Sequence, residues 1–167
     1  NIYQGKSSII LDEYYIVKKA IFKAQKRGVF FDSADARINH SYAIIRPAIE
    51  QGFKPDIIST DLTYASMFRN MCWGLPVVLS KWLNLGLSLE EVIQACTYNP
   101  AKIHHLGDGL GTLDVGAHGN VTIFKVINKE FHMKNRLNED FIGQKLIVPQ
   151  VTIINGKIVY RNVEFPF

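Results

Sequence analysis

Cysteine is scarce in this sequence: Cys72 and Cys96 are the two among 167 residues, and they stand far apart. That excludes a disulfide scaffold and every cysteine-rich zinc pattern. It predicts reduced thiols serving as small core residues in a cytoplasmic protein. No apolar run reaches the ~18 residues that cross a bilayer, and no secretory leader pattern is present. GxSxG, P-loop and GxGxxG patterns are missing, so nucleophile-elbow and nucleotide-binding readings have no footing. HxH and HExxH are missing as well. Neither sign of charge dominates, with 19 Lys and Arg against 15 Asp and Glu. The densest basic cluster, Lys18, Lys19, Lys23, Lys26 and Arg27, alternates with apolar residues at helical spacing. It reads as the solvated face of an amphipathic helix, not as a nucleic-acid patch. The first residue is Asn1, not Met, which predicts a fragment or a processed product.

What is present is ordinary for a soluble globular protein: 47% hydrophobic and 20% charged residues. The length suits one domain with a small appendage. It falls short of a complete eight-stranded β/α barrel, which takes roughly 200–250 residues. Residues 11–28 read as a helix with Asp12 as N-cap and Gly28 as stop. "VFFD", residues 29–32, reads as a strand buried on both faces and ending in a carboxylate. A polar loop follows, then a helix over residues 42–52 closed by Gly52. Pro47 is awkward inside that helix and moves its expected start toward Arg46. "PDIISTD" is the next buried strand and ends at Asp61. Helix, strand, loop, helix, strand is the rhythm of a parallel α/β unit.

After a loop over residues 62–74, "LPVVLSKWLNLG" reads as a helix ended by Gly86. Ser88 followed by Glu91 is a capping box for the next helix. "NPAKIHHLG" reads as a short helix with Pro100 at its first position and Gly107 after it. From Gly109 the character changes to glycine-rich and then β-branched. Asn155-Gly156 stands between two strand-like runs, the strongest short hairpin signal there is. The chain therefore divides into an α/β part, residues 1–108, and a small β unit, residues 109–167.

Asp61 is the first candidate for chemistry. A carboxylate after a buried strand can ligate a metal or act as a base; it can equally cap a helix or start a turn. The loop after Asp32 holds Ser33, Asp35, Arg37, Asn39 and His40, and it would line the same face. Arg37 is suited to clamping an anion, and His40 to binding substrate or metal. His104 and His105 diverge by about 100° on a helix and do not share a metal. His118 and His132 are expected to be exposed.

Several stretches together carry a resemblance. They are "RGVFFD", "AIEQGFKPDIISTDL", "LPVVLSKWLNLGLSLEEVIQACTYNPAKI", "GTLDVG", "VTIF" and "VPQVTIINGKIVY". In order and spacing they resemble the C-terminal part of an amidohydrolase-superfamily enzyme, nearest to the dihydroorotase-like amidohydrolases and deacetylases. The specific part runs from Arg27 to Leu113. Such enzymes are similar to one another in having a metal-bearing β/α barrel and a small β-sandwich. The resemblance implies that "VFFD" and "DIISTD" are barrel strands seven and eight. Asp61 then matches the strand-eight aspartate that touches the metal and acts as general base. Asp35, Arg37 and His40 would bind substrate.

The departures are equally specific. Asn1 stands where family members carry a strand-six histidine. Asp35 stands at the histidine of a Gly-His-Gly-like loop. Gly119-Asn120 replaces an Ala-Asp pair. The implied function is metal-dependent hydrolysis of an amide, cyclic amide or ester bond. The complete enzyme would hold a divalent metal, zinc in the first place. The alternative is a non-catalytic remnant or interaction domain. Expected partners are a small-molecule substrate and either further copies of the chain or a missing N-terminal barrel segment; nucleic acid and membrane are not expected. One carboxylate does not hold a catalytic zinc, which takes about three protein ligands, so the isolated chain is expected to bind no metal tightly.

Overall fold

A computed structural model describes residues 2–5, 8–35, 39–67, 74–135 and 137–166. The first expected helix is shorter than its apolar pattern suggested. Asp12 caps a turn instead: its Oδ1 accepts from the backbone N–H of Tyr14 and of Ile16, both at 2.9 Å. Tyr15 there takes φ 61°, and Leu11 bridges to Val17. A short acidic side chain offers the backbone this local alternative to a helix. Helix α1 spans Lys19–Lys26 and buries none of its residues, so its lysines form the solvated face foreseen. It ends before Gly28 with Val29 N–H donating to the Ala24 carbonyl at 3.1 Å.

That cap also displaces the first strand. Val29 and Phe30 leave the helix terminus 45% and 54% exposed, and burial begins at Phe31. Strand β1 is Asp32–Ala34, so Asp32 opens it where the pattern had it close. Helix α2, Tyr42–Glu50, starts four residues before Arg46 and keeps Pro47 inside. The start is fixed from a distance, because the Glu139 carboxylate accepts from Tyr42 N–H at 2.6 Å and Ser41 Oγ at 2.9 Å. The Ala43 carbonyl, which loses its i+4 donor to Pro47, belongs to an exposed residue. Strand β2, Ile57–Ser59, pairs parallel with β1, with Asp32 opposite Ile57 and Ala34 opposite Ser59.

Helix α3 is a single turn, Tyr64–Met67, inside the expected loop. Helices α4, Leu75–Asn84, and α5, Leu89–Cys96, fall where the pattern put them. The capping box forms, with Glu91 N–H donating to Ser88 Oγ at 3.1 Å and Ser88 N–H to Glu91 Oε2 at 2.9 Å. Helix α6 is Tyr98–Ile103. Pro100 is its third residue, not its first, and the helix ends before His104 and His105, which were expected on it; Gly107, at φ 95°, follows as expected.

The β unit is one three-stranded antiparallel sheet, β3 (Val121–His132), β4 (Ile142–Ile154) and β5 (Lys157–Arg161). The described residues of this unit form that one sheet, and a second layer of the expected β-sandwich is not shown among them. Asn155 and Gly156 form the β4–β5 turn at φ 49° and 75°, with Ile154 opposite Lys157. Two positive φ values are what a type I′ turn demands.

Helix α4 joins the sheet to the rest. Ser80 Oγ accepts from Ile147 N–H at 2.9 Å, and Asn84 Oδ1 accepts from the N–H groups of Gln144 and Lys145. One core results, in which Trp82, Tyr3, Phe53, Ile45 and Val78 meet Met133 and Ile147 from the sheet side. No helix among the described residues is long and apolar enough to cross a membrane.

Gly111 is where backbone meets backbone. At φ 74° an added Cβ would lie 2.6 Å from the Thr97 carbonyl oxygen and 2.8 Å from its carbon. Gly111→Ala is therefore expected to lower stability by about 1–3 kcal/mol, read as a fall in the midpoint of thermal unfolding. A variant as stable as its parent would show that the two segments separate freely.

Candidate functional site

Parallel strands deliver the residues that follow them to one face. Asp61 lies two residues beyond β2, exposed, at φ 47°. Aspartate tolerates this left-handed conformation better than most residues, because its short side chain bonds locally. Its Oδ2 accepts from Asn39 Nδ2 at 3.1 Å. Asn39 Oδ1 in turn accepts from Gln4 Nε2 at 3.1 Å. The two bonds leave the Asn39 amide one orientation, and they aim its donor at Asp61.

Asp32, which closes the apolar run, is not the carboxylate found at this end of β1. Asp32, at the start of β1, is engaged by Ser59 Oγ at 2.9 and 3.1 Å. Asp35 follows the end of β1 instead. It is 5% exposed, and its Oδ2 lies 2.6 Å from Lys81 Nζ in α4. Asp35 Oδ1 approaches His40 Nδ1 to 3.2 Å, a close contact without hydrogen-bond alignment. His40 is 1% exposed and stands edge-on to Tyr42 and Trp82, with ring centroids 5.3 and 5.4 Å away. Two residues expected to meet substrate thus lie in the interior as part of a charged cluster. Arg37 lies outside the described residues.

Burial sets the electrostatics of the cluster. It pushes the His40 imidazole down to about 4, with Lys81 acting the same way and the carboxylates of Asp35 and Glu139 opposing. His40 is therefore neutral near pH 7, with one ring nitrogen a donor and the other an acceptor. The Tyr42 hydroxyl is raised, first by burial and then by Asp35 and Glu139. His40 Nε2, Trp82 Nε1, Tyr42 OH and Ser33 Oγ are buried with no hydrogen-bond partner among the described residues.

Sequence reasoning missed Gln4 and Lys81 altogether and gave Asn39 no role. Lys81 had left a signal: it is a lone charge inside the apolar run "PVVLSKWL". Gln4 had none, because its partner is 35 residues away.

A resident metal finds little here. Among the described residues, no three His, Cys, Asp or Glu side chains come together as ligands. Asp61 is exposed and accepts from the Asn39 amide nitrogen, and an amide nitrogen is not a metal donor. The described residues do not by themselves fit a catalytic zinc, which takes about three protein ligands and an open position. A cavity of about 500 Å³ lies elsewhere. It is an apolar space between α4, α5 and the sheet, lined by Leu75, Leu79, Ile93, Cys96, Phe124 and Ile147. Burial pushes the Cys96 thiol up to about 11, which keeps it protonated and unreactive. The exposed histidines, His104, His105 and His118, stay outside both places. His132 pairs with Asp140 at 3.1 Å.

Comparison with known proteins gives one consistent answer. The model of the "Amidohydrolase family" matches residues 9–159; that family is generally metal-dependent. A deacetylase of Enterococcus faecalis is 28% identical over 96% of this chain and 43% of its own length. A dihydroorotase of Aquifex aeolicus is 33% identical over 53% of this chain and 22% of its own. Among solved structures, one described as an adenine deaminase superposes with a TM-score of 0.89 at 28% identity, over 96% of this chain and 43% of that one. A dihydroorotase structure follows at 0.76 and 26% identity, over 87% of this chain and 39% of that one. The chain thus spans about two fifths of the length of the first relatives it matches.

Proposed function

This chain belongs to the amidohydrolase family, and from that premise we propose that it is the C-terminal segment of a metal-dependent hydrolase. The bond cleaved is an amide, cyclic amide or ester, as the names of the deacetylase and dihydroorotase relatives suggest. One observation carries the reading. Within a family match, Asp61 stands two residues past a parallel strand, in a left-handed backbone conformation, its carboxylate held by Asn39. In this reading β1 and β2 are adjacent strands of a partial barrel, and the antiparallel sheet is a separate small unit. Asp61 accepts the proton of the attacking water, and Asn39 fixes which oxygen does so. Arg37 is the residue of this loop assigned to the substrate; Asp35 and His40 are buried and are assigned a supporting role. A divalent metal belongs to the complete enzyme, and among the described residues Asp61 is the ligand this chain would contribute. The protein is cytoplasmic. It assembles with further copies or with a preceding segment of the same protein, because Ile158, Val159 and Tyr160 of the edge strand β5 are exposed.

The test is hydrolysis by the naturally produced protein, assayed with N-acetylated and cyclic-amide substrates. Asp61→Asn keeps the shape and the bond to Asn39 but removes the base. It is expected to lower kcat about 10²–10⁴-fold with the melting temperature unchanged. Undiminished activity in Asp61→Asn would overturn the role of Asp61. A second reading, a domain that keeps the packing without the chemistry, has one observation in its favour: Asp35, at a motif position, is committed to Lys81 in the interior. No turnover of any of these substrates would establish that reading.

A further inference from the structure

The segment that carries Asn39 is held from three sides. Ser41 N–H donates to the Tyr3 carbonyl at 3.0 Å, beside the Gln4–Asn39 bond. From below, His40 is embedded among Asp35, Trp82 and Tyr42. The third side comes from far along the chain, from the loop between β3 and β4. Asn135 Nδ2 donates to the His40 carbonyl at 2.8 Å. The Glu139 carboxylate accepts from Ser41 Oγ at 2.9 Å, Tyr42 N–H at 2.6 Å and Ala43 N–H at 3.4 Å.

Described residues of that loop also bond one another. Asn135 Oδ1 accepts from the N–H groups of Leu137 and Glu139 at 2.9 and 3.0 Å, and its Nδ2 also bonds Glu139 Oε2. Asn135 is 4% exposed. A buried amide that satisfies its own loop and reaches across to a second one is a clamp. Its failure would strand several polar groups at once. The positive end of α2 adds to the hold, since a carboxylate there meets orphan donors and the helix dipole together. Asn39 is the residue immediately before the clamped carbonyl of His40, so its backbone has no independent freedom at that end.

We propose that Asn135 and Glu139 are positioning residues for Asp61, acting through the 39–43 segment to keep the Asn39 amide aimed at the Asp61 carboxylate. The inference rests on the reading of Asp61 as the reactive carboxylate. It assigns to the hairpin loop of the sheet a task in the site of the α/β part. Neither residue touches Asp61. The effect of losing either is a displaced Asn39, not a lost base.

The test compares Glu139→Ala and Asn135→Ala with Glu139→Gln, which retains an acceptor, and with Asp140→Asn. The last removes a carboxylate from the same loop whose partner is His132, on the sheet. The first readout is amide hydrogen exchange at Tyr42 and Ala43, expected to quicken about 10–100-fold in Glu139→Ala. The second is a structure of each variant that folds. The Asn39–Asp61 bond is expected to be lost in Glu139→Ala and Asn135→Ala and kept in Asp140→Asn, with Glu139→Gln intermediate. In the active protein, kcat is expected to fall about 100-fold with KM little changed. An Asn39–Asp61 bond that persists while the Tyr42 and Ala43 amides are released would overturn the proposal. If Glu139→Ala does not fold, the same comparison decides in Glu139→Gln. Should the unmodified protein hydrolyse nothing, the proposed function falls, and the exchange and structural readouts still decide the positioning claim.

Discussion

Replacing Lys81 by methionine is expected to lower the stability of the protein by about 3–5 kcal/mol, the usual cost of breaking a buried ion pair from one side. Lys81 and Asp35 are 2% and 1% exposed along their side chains, and their charged atoms are 2.6 Å apart. Solvent screening is therefore slight. Methionine matches the length and apolar stem of lysine, so packing beside Val78 and Trp82 changes little. What is lost is the only cation that Asp35 contacts among the described residues. The carboxylate would be left buried beside neutral His40. Urea unfolding reads the effect as a lower midpoint at unchanged slope. The double variant Asp35→Leu, Lys81→Met removes both charges and is expected to recover most of the loss, because apolar replacement of a buried pair is often near neutral. A single variant within about 0.5 kcal/mol of its parent, the ordinary range for surface substitutions, would show that the pair is solvated in solution.

The same pair explains what could and could not be read from the sequence. Elements whose signals are local were legible. Ser88 and Glu91 are three residues apart and form the capping box; Asn155-Gly156 needs its own two φ values and little else. Gly28, Gly52 and Gly86 each follow the helix they were expected to end. Elements set by distant partners were not legible. The start of α2 is decided by Glu139, 97 residues from Tyr42, and without that carboxylate Pro47 made a later start the better guess. Asp12 has a capping residue's chemistry, but it spends it on Tyr14 and Ile16 in a turn. "VFFD" was rightly placed beside "DIIS" and wrongly bounded, since a helix cap holds Val29 and delays the strand to Asp32. Asp61 was legible as a strand-end carboxylate. Its orientation was not, because Asn39 and Gln4 are 22 and 35 residues from their partners.

Acid is expected to destabilise this protein through His40 between pH 6.5 and pH 4. The groups that face the ring are Asp35 at the end of β1, Lys81 from α4 and Glu139 from the β3–β4 loop. Desolvation outweighs the two carboxylates, and the imidazole falls to about 4 in the folded state against an ordinary 6.5. Between those values the unfolded chain binds a proton that the folded one refuses. Stability therefore rises with pH across the window. The contribution is fully present above 6.5, declines as pH falls toward 4, and changes no further below that. A depression of this size corresponds to about 3 kcal/mol, and the ring is 1% exposed, so little is lost to solvent. Carboxylates also titrate near the lower limit, so the wild-type profile alone is not diagnostic. His40→Phe keeps a ring against Tyr42 and Trp82 and removes the proton site. The difference between the two stability profiles, measured from pH 8 to pH 4, isolates His40. It is expected to be flat above pH 7 and to move in favour of phenylalanine by about 3 kcal/mol on acidification. Parallel profiles would mean that the imidazole accepts its proton inside the folded protein, with the Asp35 carboxylate turned fully toward it.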